Sequence, residues 1–223
     1  MVSVITVDGP SGVGKGTLCQ LLCNYTGFHF LDSGAIYRAL AYGAIAQAIL
    51  PVDQTDLISL AEQLPVEFVD GKVLYKAEDI SLAIRNEKVA GMASEIAAIP
   101  EVRAALLQRQ KDFTQQPGLV ADGRDMGTVI FPEAKIKLFL TASAQIRAER
   151  RVNQLKNQDV TANIAQIIQD IIERDRRDAS RSVSPLIPAQ DAFVIDTSEL
   201  NATQVFDKAK EILQQCGIRQ ASQ

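Results

Sequence analysis

The stretch Val4–Thr17, VITVDGPSGVGKGT, decides the fold. Val4, Ile5, Thr6 and Val7 are apolar or β-branched, the composition of a buried strand. A loop with three glycines in six positions follows, and Lys15 comes directly after it. From Gly16 the pattern turns helical, with Leu18, Leu21 and Leu22 at helical spacing. Strand, glycine loop and helix opening form an anion trap. Glycine lets backbone N–H groups converge on one point, and a helix N-terminus adds about half a positive charge. A lysine at the end of the loop supplies a full charge for β- and γ-phosphates. The spacing is that of a P-loop, except that the residue after Lys15 is Gly16 and the hydroxyl comes one place later, at Thr17. These residues predict binding of a nucleoside triphosphate.

With 223 residues the chain suits one large domain or a core with a small insert. An apolar content of 47% is enough for a substantial core. The net charge of −4 gives no global attraction to nucleic acid or to anionic membranes. No run approaches the ~18 apolar residues of a membrane span, and the N-terminal pattern is not that of a signal peptide, so a cytoplasmic protein is expected. Cys19, Cys23 and Cys216 fit no metal pattern, and Cys19 and Cys23 are expected as reduced thiols on the sheet-facing side of the first helix. His29 is the only histidine, in an apolar segment where packing is its expected role.

Further along, Phe28–Leu31 reads as a second strand ended by Asp32-Ser33-Gly34, and a helix is expected over Ala35–Ile49, then another over Thr55–Gln63. Residues from about Pro65 to Asn86 change character. Val66–Val69 and Lys72–Lys76 flank Asp70-Gly71, a hairpin signal, and Ile80–Ile84 is a candidate third strand. This antiparallel piece interrupts the strand–helix alternation and reads as an insert. Helices resume over Val89–Ile99, with Pro100 as the stop, and Glu101–Gln115, with Pro117 as the stop. Strands at Gly118–Ala121, Ile136–Leu140 and Phe193–Ile195 alternate with helices at Ala144–Asn157, Ile164–Ala179 and Val205–Gln215. The alternation predicts an α/β fold, a parallel sheet with helices on both faces, and a ligand outside the carboxyl ends of the strands. Gly9–Lys15, Asp32-Ser33 and Asp122–Asp125 all follow strands directly, as that geometry requires.

Seven arginines lie between positions 147 and 181, mixed with acidic residues that would pair with some of them. Arg147, Arg150 and Arg151 fall on one side of a helix; Arg174, Asp178 and Arg181 share a face if the helix that starts at Ile164 persists that far. Two arginine clusters suit a reaction in which charge spreads over a transferring phosphoryl group, catalysed by positioning and electrostatics.

The segments GPSGVGKGT, LDSGAIYR, ASEIA, VRAALLQRQ, DGRDMGTVIFP and ERDRRDASR together resemble the bacterial cytidylate kinases, over nearly the whole chain. The Gly-Lys-Gly-Thr ending is the normal form in that group. The resemblance implies transfer of the ATP γ-phosphate to CMP or dCMP with Mg²⁺. It implies a P-loop kinase core over 1–64 and 87–223, the hairpin 65–86 as part of an NMP-binding insert, and a short lid near 152–161. ATP would lie on Gly9, Pro10, Ser11, Gly12, Val13, Gly14, Lys15, Gly16 and Thr17, with Arg147, Arg150 and Arg151 on the lid side. Matching motif to motif, Ser33, Arg38, Arg124 and Arg181 hold the CMP phosphate, with Arg85 at the insert's edge. Ser94, Arg103 and Asp125 match positions that read cytosine, and Arg174 and Asp178 match positions at the ribose. Lys15, Arg124, Arg150 and Arg181 are the expected catalytic set. Thr17 is the expected direct Mg²⁺ ligand, and Asp122, ending an apolar strand, is placed to hold a water of the ion.

Cytosine offers a donor at its exocyclic amine and acceptors at N3 and O2. An aspartate accepts from the amine and an arginine donates to the acceptors, so uracil would leave buried groups unpaired at ~1–3 kcal/mol each. Closure of the insert and lid over both nucleotides is expected to exclude water. The nearest rival is a sister kinase acting on AMP, UMP or dTMP. A GTPase switch would need a guanine-reading Asn-Lys-x-Asp segment, which Asn157-Gln158-Asp159 does not supply. A nucleic-acid module is disfavoured by the acidic balance and 5% aromatics. A monomer with small-molecule substrates, and no nucleic-acid or membrane partner, is expected.

Overall fold

The computed structural model describes residues 2–69, 71–156 and 163–221. The chain divides into two compact units, one formed by Met1–Leu31 with Phe113–Gln223, the other by Asp32–Asp112.

The first unit is built on a five-stranded parallel sheet in the order β2-β6-β1-β7-β8. Its strands are β1 (Ser3–Asp8), β2 (His29–Asp32), β6 (Gly118–Gly123), β7 (Ile136–Thr141) and β8 (Phe193–Asp196). β1 pairs in parallel with β6, from Ser3 opposite Gly118 to Asp8 opposite Gly123, and with β7 from Ile5 opposite Ile136. The three central strands are buried along almost their whole length, which is why they read as unbroken apolar runs and not as alternating ones. At the two edges, β2 and β8 bury only Leu31 and Ile195.

Helices α1 (Lys15–Thr26) and α8 (Ala202–Gln215) share one core with the sheet. Leu18, Cys19 and Leu22 of α1 meet Val205, Ala209 and Leu213 of α8 over Ile5, Val7, Leu138 and Ile195. The i, i+4, i+8 spacing of the α8 residues makes a single apolar stripe. Each large aliphatic side chain buried there contributes about 1.5–3 kcal/mol. Asn201 caps α8 by accepting from Gln204 N at 3.0 Å, and Gln204 returns the bond to Asn201 N at 2.9 Å. Helices α6 (Ala144–Lys156) and α7 (Ile164–Ala179) follow β7. The expected lid begins in the last turn of α6, and its remainder, 157–161, lies outside the described residues.

The second unit holds α2 (Ser33–Ala46), α3 (Gln54–Glu62), α4 (Glu87–Ile96), α5 (Pro100–Lys111) and a small antiparallel sheet. That sheet contains β3 (Val66–Val69), β4 (Lys72–Tyr75) and β5 (Glu78–Asp79), with Val66 opposite Tyr75 and Val69 opposite Lys72. Gly71 takes a φ of 75° in the turn; Asp70 beside it is outside the described residues. Asp32 caps α2, its Oδ1 accepting from Ala35 N at 2.9 Å. Arg109 of α5 donates to Leu64 O at 2.8 Å, tying the helix to the entry of the hairpin.

Four local expectations are corrected. Ile80–Ile84 is not a strand: after β5, the Ser81 hydroxyl accepts Val73 N at 2.9 Å in place of a strand partner, and Ala83–Arg85 winds into a 3₁₀ turn. Pro100 starts α5 and does not stop α4, since the first helical position needs no N–H. Helix α2 ends at Ala46, short of Ile49, where Ala48 takes a φ of 57°. His29 is exposed on β2, with Nε2 2.7 Å from Gln116 O, and is not packed in the core.

Candidate active site

The carboxyl ends of β1 and β6 position the chemistry of the first unit. Beyond β1 the chain bends at Gly9, whose φ is 143°; a Cβ there would lie 2.3 Å from Leu140 O of β7, so only glycine fits the close approach. Gly14, with a φ of 94°, delivers the chain into α1. Lys15 is the first helical residue, buried, with Nζ donating to Pro10 O at 2.9 Å and standing 3.8 Å from Asp122 at the end of β6. Burial first, then the positive charge of Arg124, bring its ammonium down to about 8, against an opposing pull from Asp122, with Arg174 adding a minor push. A lysine so placed is short of negative charge, and bound phosphates would supply it.

Thr17 is exposed on the first turn of α1, and Asp122 Oδ2 would lie 3.9 Å from a Cβ on Gly16. Hydroxyl and carboxylate thus flank the loop with oxygen donors only, which suits a hard, hydrated cation such as Mg²⁺.

Three cations gather on one carboxylate further along. Arg124 Nε donates to Asp178 Oδ2 at 3.1 Å, Arg181 Nη2 donates to Asp178 Oδ1, and Arg174 adds its field from one turn earlier on α7. Burial by itself would raise the Asp178 carboxyl, but the three guanidinium groups hold it below the ordinary carboxylate value. The helix does not persist to Arg181, since α7 ends at Ala179, yet Arg181 turns back onto Asp178 and Arg124 joins from the end of β6. Asp125 follows at 2% exposure, its carbonyl accepting Val129 N at 2.9 Å.

The lid-side arginines divide. Arg150 donates to Thr197 Oγ1 at 3.1 Å and to Thr197 O at 2.5 Å, and it borders a cavity of about 250 Å³ with Val13, Thr17, Leu200 and Asn201. Arg151 bonds Gln154 Oε1 at 2.9 Å on the exposed side of α6. Arg147 is held by three partners within the protein. Nε donates to Ala142 O at 3.1 Å, Nη1 to Ser11 O at 3.3 Å, and Nη1 and Nη2 together form a two-pronged pair with Asp175. All three nitrogens are engaged within the protein, one of them by the P-loop itself.

In the second unit, Ser33 opens α2 and donates its hydroxyl to Gln110 Oε1 at 2.6 Å. Arg103, 7% exposed, donates to Ala97 O at 3.0 Å and lays its guanidinium 5.4 Å from the centre of the Tyr37 ring. Ser94 is buried on α4, Arg38 half-buried on α2, and Arg85 exposed at the end of the 3₁₀ turn.

Several contributors lacked a signal in the sequence. Asp8 reads as a strand end, yet its carboxylate accepts Met126 N and Gly127 N, both at 2.8 Å. Those residues open a π-helical turn, Met126–Ile130, that no periodicity announces. Thr197, Tyr37 and Gln110 act through contacts distant in sequence, which spacing does not encode.

A glycine loop after a buried strand, a lysine at its end and an aspartate closing the neighbouring strand define a P-loop nucleotide-binding protein. Residues 5–215 match the sequence model of the family described as cytidylate kinase. The chain is 53% identical over 210 residues to the cytidylate kinase of Chromobacterium violaceum, covering 94% of this chain and 95% of the other. It is 51% identical over 216 residues to that of Pasteurella multocida, covering 95% of each, and 50% identical over 220 residues to that of Shewanella frigidimarina, covering 96% and 95%. The chain belongs to the cytidylate kinase family.

Proposed function

We propose that the protein transfers the γ-phosphate of ATP to CMP or dCMP, giving ADP and CDP or dCDP. The observation that carries this reading is the charge balance around Lys15. Burial and then Arg124 depress its ammonium against the pull of Asp122, and Arg124, Arg174 and Arg181 gather three guanidinium groups on the carboxylate of Asp178. Clustered cations of this kind are suited to the charge that develops during phosphoryl transfer.

In this reading Gly9–Thr17 cradle the triphosphate, and Arg150 borders the adjoining cavity with Thr17, Thr197 and Asn201. Arg147 acts through the P-loop carbonyl of Ser11, and Arg151 stands further out on α6. Ser33, Arg38, Arg85, Arg124 and Arg181 hold the acceptor phosphate, Ser94, Arg103 and Asp125 read cytosine, and Arg174 and Asp178 contact the ribose. Lys15, Arg124, Arg150 and Arg181 stabilise the transferring group. Mg²⁺, held directly by Thr17 and through water by Asp122, neutralises phosphate charge when bound. Residues 1–64 and 87–223 form the kinase core, and 65–86 belongs to the acceptor-binding insert. The protein works as a cytoplasmic monomer; among the described residues no helix is long and apolar enough to cross a membrane.

An ADP-release assay with CMP, dCMP, UMP and AMP, run beside Lys15→Ala, tests this. Turnover of CMP and dCMP, lost in the variant, is the expected result. A wild type inert toward every monophosphate, or one preferring AMP, overturns it.

A further inference from the structure

Asp8 has no part in the roles assigned so far, although it is a carboxylate at 5% exposure beside both nucleotide-handling segments. Its backbone closes the β1–β6 ladder opposite Gly123, and the next residue begins the P-loop. Beyond that pair the two strands part. The carboxylate then continues the connection by accepting two consecutive N–H groups, Met126 and Gly127, each at 2.8 Å. Consecutive amides aimed at two oxygens of one carboxylate fix the direction of the chain, not merely its distance. The turn so held is seated tightly: a Cβ on Gly127 would meet Thr6 Oγ1 at 2.8 Å, and Met126 folds back until a Cβ on Gly123 would meet its Cγ at 2.6 Å. The residues immediately before the held amides are Arg124 and Asp125.

We infer that Asp8 is a positioning residue for acceptor recognition: by clamping Met126 N–H and Gly127 N–H it sets the backbone from which Asp125 projects, and so maintains preference for a pyrimidine monophosphate with an exocyclic amine. The role rests on the kinase reading above and on Asp125 accepting from that amine. An acceptor carboxylate displaced by even an ångström no longer meets a fixed donor well, because hydrogen bonds weaken steeply with distance and angle. Discrimination between an amine and a carbonyl at the same ring position is the property most sensitive to such a shift. ATP, bound to the backbone N–H groups of the loop, is governed by Gly9–Gly14 and Lys15 and should be affected little.

The test compares wild type and Asp8→Asn with CMP and UMP as acceptors at varied ATP. An asparagine keeps one acceptor oxygen but turns an NH₂ toward the second backbone N–H. The expected result is a rise of roughly tenfold in KM for CMP, a fall of at least fivefold in the CMP-over-UMP ratio of kcat/KM, and a KM for ATP within twofold of wild type. An unchanged CMP-over-UMP ratio in a folded, active Asp8→Asn overturns the role. A wild type without CMP kinase activity overturns the kinase reading instead, so the two failures are separate. Should the variant not fold, hydrogen exchange on wild-type protein decides: CMP slowing exchange at Met126 and Gly127 at least fivefold more than an ATP analogue supports the role, and equal slowing by both overturns it.

Discussion

Arg147 of α6 grips Asp175 of α7 with two nitrogens while the same guanidinium donates to Ser11 O of the P-loop. One side chain at 4% exposure thus ties two helices to the phosphate-binding loop. Removing it leaves the partly exposed Asp175 carboxylate and the Ser11 carbonyl without that donor, a loss of about 1–3 kcal/mol. Arg147→Ala should therefore melt at lower temperature and raise KM for ATP several-fold more than KM for CMP. Arg147→Lys should recover little, since an ammonium cannot reproduce a planar two-pronged contact. Equal changes in both KM values would show that the residue does not act through the loop.

Lys15 illustrates the cost of function. Its ammonium is buried and pushed down to about 8, so the folded protein without nucleotide gains little from it. Lys15→Met keeps the length and removes the buried charge. We expect kcat to fall by roughly 10² or more, as for loss of a major electrostatic contact to a transition state. The thermal midpoint of the free protein should stay level or rise. A variant that is both inactive and strongly destabilised would contradict the second half.

Much of this arrangement was legible in the sequence because it is local. Val4–Thr17 carries strand, loop and helix start within one stretch, and Ile164–Ala179 shows its helical period over its full length. Arg174 and Asp178 lie one turn apart on α7, and Arg181, two residues past the end of the helix at Ala179, still turns back to Asp178. What escaped is either a backbone state with no side-chain signature or a contact across the chain. The π-helical turn at Met126–Ile130 is held by a carboxylate 118 positions away in sequence, and Arg147 is paired with an aspartate 28 positions on, on the next helix. Ile80 and Ile84 are buried as a strand would bury them, but a serine hydroxyl takes the place of the missing strand partner.

Asp8 and Asp178 should pull the pH dependence of stability in opposite directions. Asp8, raised to about 7 chiefly by burial, binds a proton more readily folded than unfolded. Its contribution is fully present below the ordinary carboxylate value near 4 and is lost as pH rises through 7, a swing on the order of 4 kcal/mol. Asp178 is held low by its arginines, so its contribution is present above the ordinary value and lost on acidification. Denaturant titrations from about pH 2 to about pH 8 should show Asp8→Asn flattening the decline toward neutrality. Asp178→Asn should instead be destabilised at neutral pH and lose its disadvantage below about pH 4. Identical pH profiles for wild type and both variants would refute the assignment.

Tyr37 offers a last check, confined to the second unit. Its ring lies under the Arg103 guanidinium, 5.4 Å from centroid to carbon, while Ala97 O accepts from Nη1 at 3.0 Å. Ring and carbonyl together hold a buried cation in one orientation. A contact of this kind contributes about 1–2 kcal/mol, at least roughly fivefold in an equilibrium. Tyr37→Leu keeps an apolar body in α2 but removes the π face. If Arg103 reads the acceptor base, KM for CMP should rise about fivefold while KM for ATP holds. Tyr37→Phe retains the face and should behave as wild type; a loss in Tyr37→Phe equal to that in Tyr37→Leu would assign the effect to the hydroxyl and remove the ring from the account.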